Sequence, residues 1–258
     1  MRHTTSHILP AGLALAALAG LGWLVYSEAA ITGLDQALSD AVIALRNSPT
    51  DWLVVLVTLF GDALSLTLIA VAMVLTLLLR RAWWPALSCA AAFILTPLTV
   101  KAIKFLVARE RPTADLYGGV ESFSFPSGHM TNSAVIYGAL AIFAAHALTG
   151  TRQRLVIGAF ILLIMLMGLS RIYLGAHWPS DVVGAVLLAS VFLFLVAWGF
   201  DQMPGETRFA RPFAFVVAVM LVIWAVYAIL TLEAAMDLYA VDVTPEGTIE
   251  LEPAVSPE

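Results

Sequence analysis

Long apolar runs separated by short polar stretches organise this chain. Crossing a bilayer as a helix takes about 20 apolar residues. Seven runs reach or approach that length, at roughly 8–27, 54–79, 83–106, 129–148, 153–171, 179–200 and 211–232. None shows the period-two alternation of barrel strands, so helices must satisfy the backbone in the hydrocarbon. The segment 28–53, with Asp35, Asp40, Arg46, Pro49 and Asp51, predicts an interfacial helix and turn. Asp62 interrupts the second run and moves its expected helix start to Ala63. The pattern predicts an all-α, polytopic transmembrane bundle: one membrane domain over 1–232, with neither repeat nor linker, followed by a tail.

The first run is longer than the apolar stretch of a signal peptide, about 7–15 residues. Arg2 is its only positive charge, and Ser27-Glu28-Ala29 is a poor cleavage site, so it reads as a retained anchor. Composition supports the membrane assignment. The chain is 61% hydrophobic and 12% charged, whereas soluble domains are about half apolar and a quarter charged. The lone cysteine, Cys89, lies inside an apolar run and reads as a small buried hydrophobe.

The net charge of −5 comes from the tail. Residues 233–258 carry Glu233, Asp237, Asp242, Glu246, Glu250, Glu252 and Glu258 with no Lys or Arg, and read as solvated and disordered. Nothing in the charge pattern points to nucleic acid. Arg2, Arg80, Arg81, Arg152, Arg154, Arg208 and Arg211 fall in loops on one side of the alternating spans. The positive-inside rule assigns that side to the cytoplasm. Segments 28–53, 107–128 and 172–178 and the tail then face outward, which in a bacterial inner membrane is the periplasm.

Three outward stretches hold ionisable residues that an anchor would not need. Lys104 and Arg111 end the third span seven residues apart, on one face if the helix continues; taken alone, snorkelling to headgroups is the commoner reason for such a pair, and it accounts for Lys101 and Arg109. Pro126-Ser127-Gly128-His129 opens the fourth span, either as a helix N-terminus receiving an anion or as a capped helix with an interfacial histidine. Ser170-Arg171 and His177-Trp-Pro-Ser-Asp181 bridge the fifth and sixth spans, with His177 and Asp181 about one turn apart. That spacing lets a carboxylate orient an imidazole, or simply caps a helix.

The three stretches together resemble the type 2 phosphatidic acid phosphatase superfamily. Its pattern is K-x6-R-P, P-S-G-H and S-R-x5-H-x3-D. The chain reads Lys104-x6-Arg111-Pro112, Pro126-Ser127-Gly128-His129 and Ser170-Arg171-x5-His177-x3-Asp181, in order and without departure. The matched core is 104–181; the first and seventh spans lie outside the layout that the motifs vouch for. The resemblance implies a six-helix phosphatase core with a seventh, C-terminal span added. It also implies a metal-independent, cofactor-free lipid phosphatase. His177 would attack phosphorus, Asp181 would orient it, and His129 would protonate the leaving oxygen and then activate water. Lys104, Arg111 and Arg171 would hold the phosphate, helped by Ser127, the Gly128 N–H and Ser170. His3, His7 and His146 would lie outside the site. Tyr117, Phe123 and Phe125 could meet lipid chains.

The implied substrate is a membrane lipid phosphate or diphosphate: undecaprenyl diphosphate, phosphatidylglycerol phosphate, phosphatidate or a lipid A phosphate. The motifs bind phosphate and do not choose among these. Two alternatives stay open: lipid-to-lipid phosphoryl transfer, and a headgroup binder or transporter without turnover. The vanadium haloperoxidases share the motifs but are soluble.

Overall fold

The computed structural model describes residues 5–27, 31–112, 123–203, 209–239, 241–243 and 249–251. Tyr117, His3, Arg2, Arg208 and the end of the tail lie outside them. The elements are α1 (Thr5–Tyr26), α2 (Ile31–Ile43), α3 (Ser48–Thr58) with a 3-10 turn (Leu59–Gly61), α4 (Ala63–Leu79), α5 (Trp83–Val107), α6 (Gly128–Ala147), α7 (Gly150–Tyr173), α8 (Pro179–Asp201) and α9 (Ala210–Leu238). Six helices are long and apolar enough to span a membrane. A seventh span forms from α3, its turn and α4, bent by 46° where Asp62 stands. The protein is an integral membrane protein.

α6 is the central helix, with 67% of its apolar window buried against 11–33% for the other spans. It packs on α7 and α8, while α5 and α1 lie against α8, and α9 closes the bundle against α3 and α4. Between helices in lipid, close packing rather than hydrophobic burial supplies the attraction. α6 accordingly presents small residues, Ala134, Gly138, Ala139 and Ala144, in its buried face. Hydroxyls inside the spans bond back to their own helices, as Thr76 does to the Ala72 carbonyl at 2.7 Å and Thr96 to the Ala92 carbonyl at 2.6 Å. Leu79, Leu106, Ile229 and Leu230 face outward from the bundle, where lipid takes the place of water. Cys89 is buried in the core.

Two expectations change. Phe125 does not meet lipid: it is fully buried among Leu18, Val25, Val100 and Leu188, between α1, α5 and α8. Gly184 makes room for it, since a Cβ there would lie 2.6 Å from the Phe125 ring. The last helix also continues past the expected end of the seventh span, carrying Glu233 and Asp237, to Leu238. It is held at that end by Arg46, whose Nη2 donates to the Tyr239 carbonyl at 2.7 Å. Beyond it, Val241–Val243 pairs antiparallel with Ile249–Leu251.

Candidate active site

The cluster forms where α5 and α7 end, α6 and α8 begin, and the α3–α4 bend reaches the same rim. Lys104 is buried in the last turn of α5. The helix stops at Val107, and Ala108 adopts a left-handed conformation (φ 48°) with its N–H on the Lys104 carbonyl at 2.8 Å. Lys104 and Arg111 therefore do not share one continuous helical face, as their spacing alone suggests. The turn folds Arg111 back into the cluster instead. Its Nη1 donates to the Ala176 carbonyl at 2.7 Å and lies 3.0 Å from Nε2 of His177.

Ser127 caps α6, its hydroxyl accepting the Met130 N–H at 3.4 Å. Its own N–H donates to the Asp181 carbonyl at 3.2 Å, which joins the second motif to the third. Gly128 is the first residue of the helix, where backbone N–H groups have no intrahelical acceptor. Among the described residues, a Cβ at Gly128 would meet Val100 at an ordinary 3.6 Å. His129 is partly open to solvent, with Nε2 2.9 Å from Oδ1 of Asp62.

Arg171, at the end of α7, is fully buried. Its Nη1 donates to the Thr58 hydroxyl at 2.8 Å and the Tyr239 hydroxyl at 3.0 Å. Ser170 is engaged by its own helix, donating to the Met167 carbonyl at 2.7 Å. After α7 the chain turns tightly, and the N–H groups of Ala176 and His177 both donate to the Arg171 carbonyl, at 3.1 and 3.2 Å. His177 is thus fixed by backbone. Its Nδ1 lies 3.4 Å from Oδ2 of Asp181. A guanidinium has only donors, so the 3.0 Å approach of Arg111 requires a lone pair on Nε2 and places the ring proton on Nδ1, facing Asp181. Burial, reinforced by Arg111, Arg171 and Lys104, holds the imidazole pKa well below its ordinary value, which favours the neutral ring. Asp181 is itself held by the Trp178 N–H at 2.9 Å and by Arg109 at 2.9 Å.

Arg109 is the main departure from the expected pattern. It does not snorkel to headgroups; Lys101 alone of that pair is exposed. The turn at Ala108 sends Arg109 inward, where it bridges Asp181 and Asp35, the latter at 2.6 Å, and lies over the Trp178 ring. Asp35, buried in α2, also accepts the Ser180 N–H at 2.9 Å. Sequence reasoning missed Asp35, Arg109, Thr58 and Tyr239 as parts of this network. The one available signal was that ionisable residues near a bilayer are rarely idle.

The arrangement brings the nine predicted site residues to one rim. It offers an unprotonated imidazole nitrogen, a second histidine and three buried cations, a set suited to phosphoryl transfer. Comparisons with known proteins agree. The profile of the PAP2 superfamily matches residues 85–204. A phosphatidylglycerophosphatase B of Bacillus subtilis is 30% identical over 175 residues, covering 67% of this chain and 86% of that protein. A lipid A 1-phosphatase of Rhizobium johnstonii is 33% identical over 114 residues, covering 40% and 43%. The crystal structure of a transmembrane PAP2-type phosphatidylglycerolphosphate phosphatase from Bacillus subtilis superposes with a TM-score of 0.62 at 29% identity, over 72% of this chain and 95% of that one. With helical bundle, motif rim and relatives in agreement, this chain belongs to the PAP2 superfamily. It is a lipid phosphatase of the membrane.

Proposed function

We propose that the protein removes a phosphate from a lipid phosphate at the outer face of a bacterial inner membrane, through a phosphohistidine on His177 and without a metal ion. The observation that carries this reading is the placement of His177, with Nε2 3.0 Å from Arg111 and Nδ1 turned to Asp181. Nε2 attacks phosphorus as the P–O bond to the lipid breaks. Lys104, Arg111 and Arg171 take up the charge on the equatorial oxygens, with Ser127 and the Gly128 N–H beside them. His129 gives its proton to the departing oxygen, then takes one from the water that releases phosphate. Ser170, bonded to its own helix, has at most a supporting part.

A lipid substrate is supported by a lateral groove of about 420 Å³ between α4 and α5, apolar through Ala70, Val74, Phe93 and Pro97. It starts at Ala63, next to Asp62, and at Asn132, one turn below His129, so a chain in it would hang from a headgroup at the rim. The outward orientation is supported by Arg80, Arg81, Arg152, Arg154 and Arg211, all exposed around the opposite end. Among the candidate substrates, a glycerolipid phosphate such as phosphatidylglycerol phosphate is favoured by the extent of the match to the Bacillus protein.

The test is phosphate release by the detergent-purified protein from phosphatidylglycerol phosphate, phosphatidate, undecaprenyl diphosphate and lipid A, with EDTA present and His177→Ala alongside. Release that survives EDTA and vanishes in the variant is expected. Release from none of the lipids, or phosphate recovered only on an added lipid acceptor, would replace hydrolysis by binding or by transfer.

A further inference from the structure

The carboxylate that breaks the second span is not used by the mechanism above. Asp62 occupies the N-cap of α4, where an Asp side chain ordinarily accepts a backbone N–H of the helix it opens. Here it makes no cap bond. Its Oδ1 lies instead 2.9 Å from Nε2 of His129. The Tyr227 hydroxyl of α9 lies beside the same carboxylate.

The turn that delivers Asp62 is fixed on three sides. The Tyr137 hydroxyl of α6 donates to the Phe60 carbonyl at 2.7 Å. Ser65 donates to the Asp62 carbonyl at 3.1 Å. The Phe60 ring stacks on Trp224 of α9 with centroids 4.0 Å apart. Gly61 lets the turn touch the imidazole: a Cβ there would lie 3.1 Å from Cδ2 of His129 and 2.8 Å from the Met167 sulfur. A bend pinned this way, with its carboxylate turned from its own helix to a histidine, is built to hold that histidine.

We infer that Asp62 is the positioning residue of His129. It accepts the Nε2–H and thereby leaves Nδ1 as the nitrogen that exchanges protons with substrate. This rests on the reading of His129 as the proton donor. In the first step the P–O bond to the lipid alcohol breaks, the P–N bond to His177 Nε2 forms, and the alcohol oxygen takes the Nδ1 proton of His129. In the second, water attacks phosphorus, the P–N bond breaks, and Nδ1 takes the proton from water. Asp62 remains a carboxylate throughout. The site then holds two histidine–carboxylate couples, one on the nucleophile and one on the acid, and only the first lies within the sequence motifs.

The experiment measures single-turnover release of the leaving group by the full-length protein in detergent. One probe is dioctanoyl phosphatidate, whose alkoxide needs a proton to depart. The other is 4-nitrophenyl phosphate, whose phenolate hardly does. Asp62→Ala and Asp62→Asn are expected to slow the first by about 10–100-fold and the second by less than about threefold, as the loss of part of a general-acid contribution would. Equal slowing of both probes, or no slowing of either in whichever variant keeps the wild-type melting temperature, would overturn the inference. Failure of the wild-type protein to form a phosphoenzyme would instead sink the underlying reading of the site.

Discussion

Both ends of this bundle carry histidines against an aspartate, and the two ends differ in every other respect. At the motif end, His177 and Asp181 are almost wholly buried, and three buried cations surround them. At the opposite end, His7 lies 2.7 Å from Asp201 and His146 lies 3.6 Å from it, with each side chain 21–32% exposed. Among the described residues no Lys or Arg pairs with Asp201. That contact ties α1 to the end of α8, as an ordinary half-wet polar clasp does. The same residue types thus meet a different environment where burial removes water and fixed positive charge replaces it. Burying ions costs several kcal/mol each unless they are well paired. The cluster at the motif end keeps Lys104, Arg111 and Arg171 out of water together, an arrangement suited to an anion.

The largest test of this contrast is Asp181→Asn. An amide there carries no charge and can donate to Nδ1, which turns His177 to the wrong tautomer, and turnover should fall on the order of 10²–10⁴-fold. Phosphate release and thermal unfolding, measured together, check this; a loss under about fivefold would mean that Asp181 serves only the helix it caps. Arg109→Ala should fall in between. It removes the bridge between Asp35 and Asp181 without touching substrate, and should lower kcat about 10-fold while leaving KM nearly unchanged. A rise in KM alone would make Arg109 a headgroup contact.

A subtler test uses acid. His177 is held well below its ordinary pKa of 6.5, so below that pH the unfolded chain binds a proton that the folded protein refuses. Stability contributed by the neutral ring is therefore present above 6.5 and is lost as pH falls from there towards the folded-state value. The slope is at most about 1.4 kcal/mol per pH unit. Melting curves should show a shallower acid dependence for His177→Asn than for wild type. Identical slopes would mean that His177 protonates freely in the fold. The smallest effects belong to the opposite end: His7→Ala and His146→Ala should leave phosphate release within about twofold and cost no more than about 1 kcal/mol of stability. A tenfold loss of activity from either would erase the distinction between the two ends.

Much of this was legible before any coordinates. Apolar runs define spans whatever their neighbours do, so the helices fall close to where hydropathy puts them, including the late start of α4 after Asp62. The motif residues were legible as well, because each cluster is local in sequence. What escaped depends on chain reversals that no local pattern encodes. The left-handed turn at Ala108 decides that Arg109 points inward rather than to the headgroups, and only the packing of α2 on α8 brings Asp35 to meet it. Phe125 looked like a rim aromatic because its partner, the gap at Gly184, lies far along the chain.

The Tyr239 hydroxyl on Arg171 has a consequence for biosynthesis. The three motifs are complete once the ribosome has passed Asp181, yet a contact to a buried cation of the site comes from a residue made only after the last span. A nascent or prematurely stopped chain ending after α8 carries every signature residue, while Arg171 lacks its tyrosine and Arg46 lacks the carbonyl that anchors α9. Assembly of the rim is therefore ordered in time. The membrane must receive the seventh span before the cluster around Arg171 has its finished wall.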